Sequence, residues 1–147
     1  MSSRVPEAKY EYHHRERMQI RFNDIDMLGH LNNSVYLQFM DLGKAGYFRQ
    51  FTGGRFEHDT VGLVIANINC NFFAPTYLEE KLDVLTAVES LSTRSLVMDQ
   101  RVVNRETGEV KCEARTVMVN VDPKTGHPVP ITDEWRRRLC DYEGREL

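Results

Sequence analysis

One long helix-compatible run stands ahead of four strand-like runs, and that ratio narrows the folds open to this chain of 147 residues. Residues 33–51 carry two apolar rows at helical spacing: Val35, Phe39 and Leu42 form one, and Tyr36, Met40, Gly43 and Tyr47 form a second beside it. So wide a stripe predicts a largely buried helix. Gly43 and Gly46 each lower helix propensity by about 1 kcal/mol relative to Ala, which predicts close approach of a sheet to the helix backbone there. Thr52-Gly53-Gly54 ends the helix.

After a loop from Arg55 to Asp59 the pattern changes to strand. Residues 61–73 are rich in β-branched and aromatic side chains and are closed by Pro75. Residues 81–91 alternate Leu82, Val84, Thr86 and Val88 against Asp83, Leu85, Ala87 and Glu89; runs at 95–105 and 110–121 follow. Short links, among them Ser92-Thr93 and Glu106-Thr107-Gly108-Glu109, predict that the four consecutive strands are antiparallel neighbours, each beside the next. Asp122-Pro123-Lys124-Thr125-Gly126 is a turn, Pro128 and Pro130 keep the chain extended, and residues 131–142 read as a short helix capped by Thr132 or Asp133. A sheet must bury one face, and the only large apolar partner is the helix that opens at Asn33. The expectation is an α+β chain: a five-stranded antiparallel sheet curved around one long helix, with a short C-terminal helix. Residues 1–17 read as an N-terminal lead-in and residues 18–147 as one domain.

Composition removes several classes of function. The net charge of −3 comes from interspersed signs, so no basic stripe offers a nucleic-acid surface. No apolar run is long enough to span a bilayer. Arg4 and Lys9 lack an apolar segment after them, which argues against a secretory signal, and Glu7, Glu11 and Glu16 argue against a transit peptide. Cys70, Cys112 and Cys140 form no C-x-x-C pair, so neither a disulfide framework nor a zinc site is expected. Cys70 reads as a small core residue. The expected location is a reducing cytoplasm, with no metal and no cofactor.

The chemistry concentrates ahead of the helix. Met18, Ile20 and Phe22 alternate with Gln19, Arg21 and Asn23, which predicts a half-buried strand. Asp24 and Asp26 follow, Gly29 permits a turn that a β-carbon resists, and Asn32, Asn33 and Ser34 are all good helix N-cap types. A carboxylate thus stands a few residues before a helix start, where unpaired N–H groups carry partial positive charge. One group can attack or deprotonate while the other holds a developing oxyanion. Two Asp in a turn are equally good capping and turn residues, and both readings stay open here.

This order and this opening stretch resemble the hotdog fold, specifically the 4-hydroxybenzoyl-CoA thioesterase-like acyl-CoA thioesterases. The family pattern stands here as Asp24-Ile25-Asp26-Met27-Leu28-Gly29-His30-Leu31-Asn32-Asn33-Ser34-Val35-Tyr36-Leu37. Asn69-Cys70-Asn71-Phe72-Phe73-Ala74-Pro75, Thr93-Arg94-Ser95-Leu96 and Gly126-His127-Pro128-Val129-Pro130 resemble later family segments, so the likeness runs from about Met18 to Arg138.

The resemblance implies an acyl-CoA thioesterase with Asp26 as nucleophile or general base. It implies that Asn33, with Ser34 after it, forms the helix N-terminus that polarises the thioester carbonyl. The same motif brings Gly29, His30, Asn32 and Tyr36 to the substrate. Arg94 and Ser95 match positions that touch the coenzyme A phosphates or pantetheine arm, a role that suits a guanidinium; otherwise Arg94 is a solvated charge. Asp41 reads as a helix-surface partner of Lys44, as a contact to the acyl group, or as the runner-up catalytic carboxylate. Phe48, Phe51 and Phe56 either fill the core or line an acyl tunnel. His13, His14 and His58 have no partner that the sequence reveals. The implied partners are acyl-CoA or an acyl carrier protein, and a second copy of the chain in a dimer or tetramer that covers an open sheet edge. The alternatives are a hydratase or dehydratase, a non-catalytic acyl-CoA-binding module, and a structural protein that kept the fold.

Overall fold

In the computed structural model, which describes residues 4–54 and 62–147, the chain forms five strands and two helices. They are β1 (His14–Met18), α1 (Asn33–Arg49), β2 (Leu63–Phe72), β3 (Leu82–Leu91), β4 (Ser95–Asn104), β5 (Val110–Asn120) and α2 (Asp133–Glu143). The strands make one antiparallel sheet in the order β1-β3-β4-β5-β2, with α1 laid on one face: the hotdog arrangement. The loop expected at 55–59, Phe56, His58 and the expected strand start at Val61 lie outside the described residues.

Three expectations are corrected. The first strand is His14–Met18, so the sheet begins inside the stretch read as a lead-in. Its pairing ends at Met18↔Leu82, where β3 itself begins, and beyond that rung the chain closes a short 3-10 turn at Phe22–Asp24 with Phe22 82% exposed. Beyond Met18 the alternation therefore marks no strand. Next, β2 and β3 are not neighbours. β2 pairs with β5, from Leu63↔Asn120 to Phe72↔Cys112, and the link from residue 73 to 81 crosses the sheet end to reach β3. A link of that length reaches past β5 and β4, which the shorter turns cannot do. Finally, Leu42 is 55% exposed, because α1 turns Tyr36, Met40, Gly43 and Tyr47, with Val35 and Phe39, toward β1, β3 and β4.

Gly43 explains how the helix seats. A β-carbon there would meet Val84 Cγ1 at 2.8 Å, Gln100 Nε2 at 3.0 Å and Thr86 Oγ1 at 3.1 Å. Only a bare backbone fits, and the proximity lets Gln100 Nε2 donate to the Met40 carbonyl at 2.9 Å. Gly46 instead faces the Glu16 carboxylate of β1. Phe48 is buried and Phe51 packs beside it, as core residues under α2.

The segment before β1 and the C-terminal helix are both tied down. Thr132 caps α2 by accepting from Trp135 N–H at 3.2 Å, and Gly144 closes it in the left-handed region at φ 73°. Buried Glu143 accepts from Tyr47 OH and from Val88 N–H, both at 2.8 Å, which docks α2 on α1 and β3. On the opposite face Tyr10 and Tyr12 donate their hydroxyls to Asp99 at 2.7 and 2.8 Å. Among the described residues β2 has no such cover. It is an edge strand, and Val64, Ile65, Ile68 and Phe72 are exposed along it.

Candidate active site

The polar bend is a closed loop held by successive rungs. Asp24 is buried, accepts from Arg21 N–H at 2.8 Å and pairs with the Arg21 guanidinium at 3.0 Å. Burial alone would lift its pKa; the bonds from Arg21 outweigh that and hold the carboxyl below its ordinary value. Asn32 N–H donates to the Asp24 carbonyl at 2.9 Å, Ile25 and Leu31 form an antiparallel bridge, and Asp26 N–H donates to the His30 carbonyl at 2.9 Å. Gly29, at φ 82°, turns the loop tip and donates to the Asp26 carbonyl at 3.0 Å. The loop folds back on itself so that the chain enters α1 beside the place where it left Asp24.

Asp26 is half-buried. Its Oδ1 accepts from Leu28 N–H at 2.9 Å and from His30 N–H at 3.5 Å, so it orders the loop as a turn residue does. Its Oδ2 has no protein partner among the described residues. At the helix start Asn32 is the N-cap, accepting from Ser34 N–H and from Ser34 Oγ, both at 3.0 Å. Val35 N–H donates to the Asn32 carbonyl at 2.9 Å. Of the three amides that open α1, only that of Asn33 is without a partner among the described residues, and Asn33 and Ser34 are exposed. The Asp24–Asn32 rung puts Asp26 two residues along the loop from the helix start, on the order of 7 Å of extended chain. Carboxylate and free amide thus lie on either side of that rung, a few residues apart.

A second segment supports both. The Thr76 carbonyl accepts from Leu31 N–H at 2.8 Å, and its hydroxyl accepts from Tyr36 OH at 2.7 Å. Tyr36 is buried under this bond, and burial pushes its pKa up to about 12. Its ring and hydroxyl are occupied by Phe72 and Thr76, which places it under the site rather than on its surface. His30 stands edge-on to Tyr77 at 5.4 Å.

The remaining candidates are elsewhere. Asp41 is exposed, pairs with Lys44 at 3.3 Å, and borders a cleft with Arg17, Arg21 and Gln38 between α1 and the end of β1. Arg94 sits in the β3–β4 turn and Ser95 opens β4, where Ser95 Oγ is 2.5 Å from Ser92 Oγ. The length of β4, roughly 30 Å at strand rise, separates them from Asn104, which bonds Glu80 on the Thr76 segment. Within one subunit Arg94 and Ser95 are therefore not brought to Asp26. Thr76, Glu80 and Lys111 support the site, and the sequence reading missed them; a Thr after Pro75 and a Lys within a strand carry no local signal of it. Among the described residues no group of three or more His, Cys, Asp or Glu is placed to hold a metal ion, and no helix is long and apolar enough to cross a membrane.

Comparison with known proteins bears on the fold and the family. The family model of the thioesterase-like superfamily matches residues 20–139. The long-chain acyl-CoA thioesterase FadM of Escherichia coli strain K12 is 25% identical over 129 residues, covering 84% of this chain and 94% of FadM. The acyl-CoA thioester hydrolase YbgC of Escherichia coli O6:H1 is 27% identical over 108 residues, covering 72% of this chain and 80% of YbgC. A crystal structure of a Thermus thermophilus thioesterase complexed with coenzyme A and Zn superposes with a TM-score of 0.77 at 30% identity, covering 89% of this chain and 95% of that one. The chain belongs to the thioesterase-like superfamily and is a thioester hydrolase.

Proposed function

We propose that the chain hydrolyses acyl-CoA to a free acid and coenzyme A, with Asp26 as the acting carboxylate and the Asn33 amide as an oxyanion donor. The observation that carries this reading is that, among the described residues, one Asp26 oxygen and the Asn33 amide at the start of α1 both lack a protein partner and lie a few residues apart across the Asp24–Asn32 rung. A carbonyl oxygen on that amide gains negative charge as its carbon is attacked, where the positive end of α1 stabilises it. Asp26 then acts in one of two balanced ways. As nucleophile, its oxygen bonds to the acyl carbon, the carbon–sulfur bond breaks, coenzyme A leaves as thiolate, and water cleaves the resulting anhydride. As general base, it takes a proton from water while the oxygen attacks, and the departing sulfur receives that proton. FadM and YbgC, named for acyl-CoA, support the choice of thioester.

The dimer belongs to the same reading. β2 leaves an open edge with exposed Val64, Ile65, Ile68 and Phe72, an aggregation hazard unless paired. Antiparallel pairing of β2 with β2 of a second copy sets the Phe72 end of one subunit beside the Leu63 end of the other. That brings the second copy's Arg94 turn toward Asp26, so the substrate arm is gripped across the interface.

The test is thiol release from acyl-CoAs running from acetyl to palmitoyl, with benzoyl-CoA and an acylated carrier protein in the same series, together with sedimentation of the enzyme. Turnover of acyl-CoA by a dimer or tetramer is the expected result. Binding without turnover across the series would make the chain a binding module instead.

A further inference from the structure

We propose that Lys111 is a positioning residue for the hydrolysis, acting through the crossover between β2 and β3 to hold the Asp26 loop against the first turn of α1. This rests on the reading of Asp26 as the acting carboxylate.

The two halves of the site converge on Thr76. Its carbonyl receives Leu31 N–H at 2.8 Å, and Leu31 is bridged to Ile25, the residue before Asp26. Its hydroxyl receives Tyr36 OH at 2.7 Å, and Tyr36 lies in the first turn of α1. One fully buried residue thus fixes both the carboxylate loop and the helix that supplies the oxyanion amide. Yet Thr76 lies between β2 and β3, outside any strand ladder. Something else must hold it.

Lys111 does. Its ammonium donates to the Pro75 carbonyl at 3.1 Å, pairs with Glu80 at 2.7 Å, and pairs with Glu109 at 2.5 Å. An ammonium has three donors, and all three are used. Its backbone carbonyl accepts from Phe73 and Ala74 N–H at 2.8 and 3.3 Å. Glu80 extends the grip by accepting from Tyr77 N–H at 2.7 Å and from Asn104 Nδ2 at 2.9 Å. The bonds therefore land on Pro75 and Tyr77, the residues on either side of Thr76. The Lys111 side chain is 3% exposed. A lysine serving only solubility would leave its head in water; this one is buried at a cost that its partners offset.

The experiment compares Lys111→Met, Thr76→Val and Asp26→Asn with the full-length wild type. It uses the best substrate from the acetyl-to-palmitoyl-CoA series, with kcat and KM taken per folded protein well below each thermal midpoint. Thr76→Val leaves every charge in place and removes only the hydroxyl, so it carries the test if Lys111→Met does not fold. The expected result is a fall in kcat of roughly tenfold to a hundredfold for Lys111→Met and several-fold for Thr76→Val, with KM within about twofold, because displacement of reacting groups costs rate. A folded Lys111→Met with wild-type kcat overturns the proposal, as does wild-type kcat in Thr76→Val or a change confined to KM. Asp26→Asn separates the two claims. If it stays active, the reading of Asp26 fails however Lys111 behaves. If it is inactive while Lys111→Met turns over normally, only the positioning role fails.

Discussion

Asn32 donates its backbone N–H to the Asp24 carbonyl at 2.9 Å while its side chain accepts from Ser34 N–H at 3.0 Å. One residue thus closes the polar loop and caps the long helix. Asn32→Ala keeps the first bond and loses the second. The expected cost is about 1 kcal/mol, read as a thermal midpoint lower by a few degrees, and Asn32→Asp is expected to restore it. An unchanged midpoint in Asn32→Ala would show that the cap is not what holds the helix start.

Gly43 tests the seating of α1. By propensity alone Gly→Ala in a helix gains about 1 kcal/mol. Here the added carbon meets Val84 Cγ1 at 2.8 Å, and overpacking costs about 1–3 kcal/mol. Gly43→Ala is expected to be net destabilising in urea unfolding. A rise in stability would mean that helix and sheet separate easily at this point.

Met40 and Leu42, one from each apolar row, are expected to differ in the same assay. Met40 is buried, and Met40→Ala should cost about 2–5 kcal/mol. Leu42 is 55% exposed, and Leu42→Lys should fall within about 0.5 kcal/mol of wild type. Equal losses at the two positions would mean that a partner covers Leu42 in solution.

This contrast shows how far the sequence was legible. Apolar spacing places the helix, and the alternation in residues 81–91 places β3, because both patterns are local consequences of which face meets the core. Leu42 misleads because it ends a row whose other members, Val35 and Phe39, are buried, while it borders the buried stripe without entering it. The partner of β2 is invisible for a different reason: pairing with β5 is decided by a crossover, not by any residue in either strand. The polar loop is legible as a turn and a cap. Its support by Thr76 and Lys111 is not, since those contacts join residues far apart in the chain.

Acid should weaken the fold in a definite window. Asp83 is held by Arg15 at 2.6 Å and Arg105 at 2.7 Å, and Glu80 by Lys111. Burial raises each pKa, but these bonds and charges outweigh it and leave both below their ordinary values of 3.8 and 4.5. The unfolded chain therefore binds protons first. The stability from these groups is complete above their ordinary values and is lost as pH falls through the lower folded ones. Thermal midpoints measured from pH 7 down to 2.5 should drop steeply below about 4.5, and Asp83→Asn should flatten that drop. A midpoint independent of pH in that range would contradict the paired geometry.

The most direct measurement is hydrolysis of the best acyl-CoA by Asp26→Asn, with folding verified by thermal unfolding. The Asn side chain still accepts the Leu28 N–H bond through its oxygen, so the loop keeps its shape while the charge is removed. A loss of kcat of at least roughly a thousandfold with an unchanged midpoint is predicted. Wild-type turnover in that folded variant would contradict the assignment of Asp26.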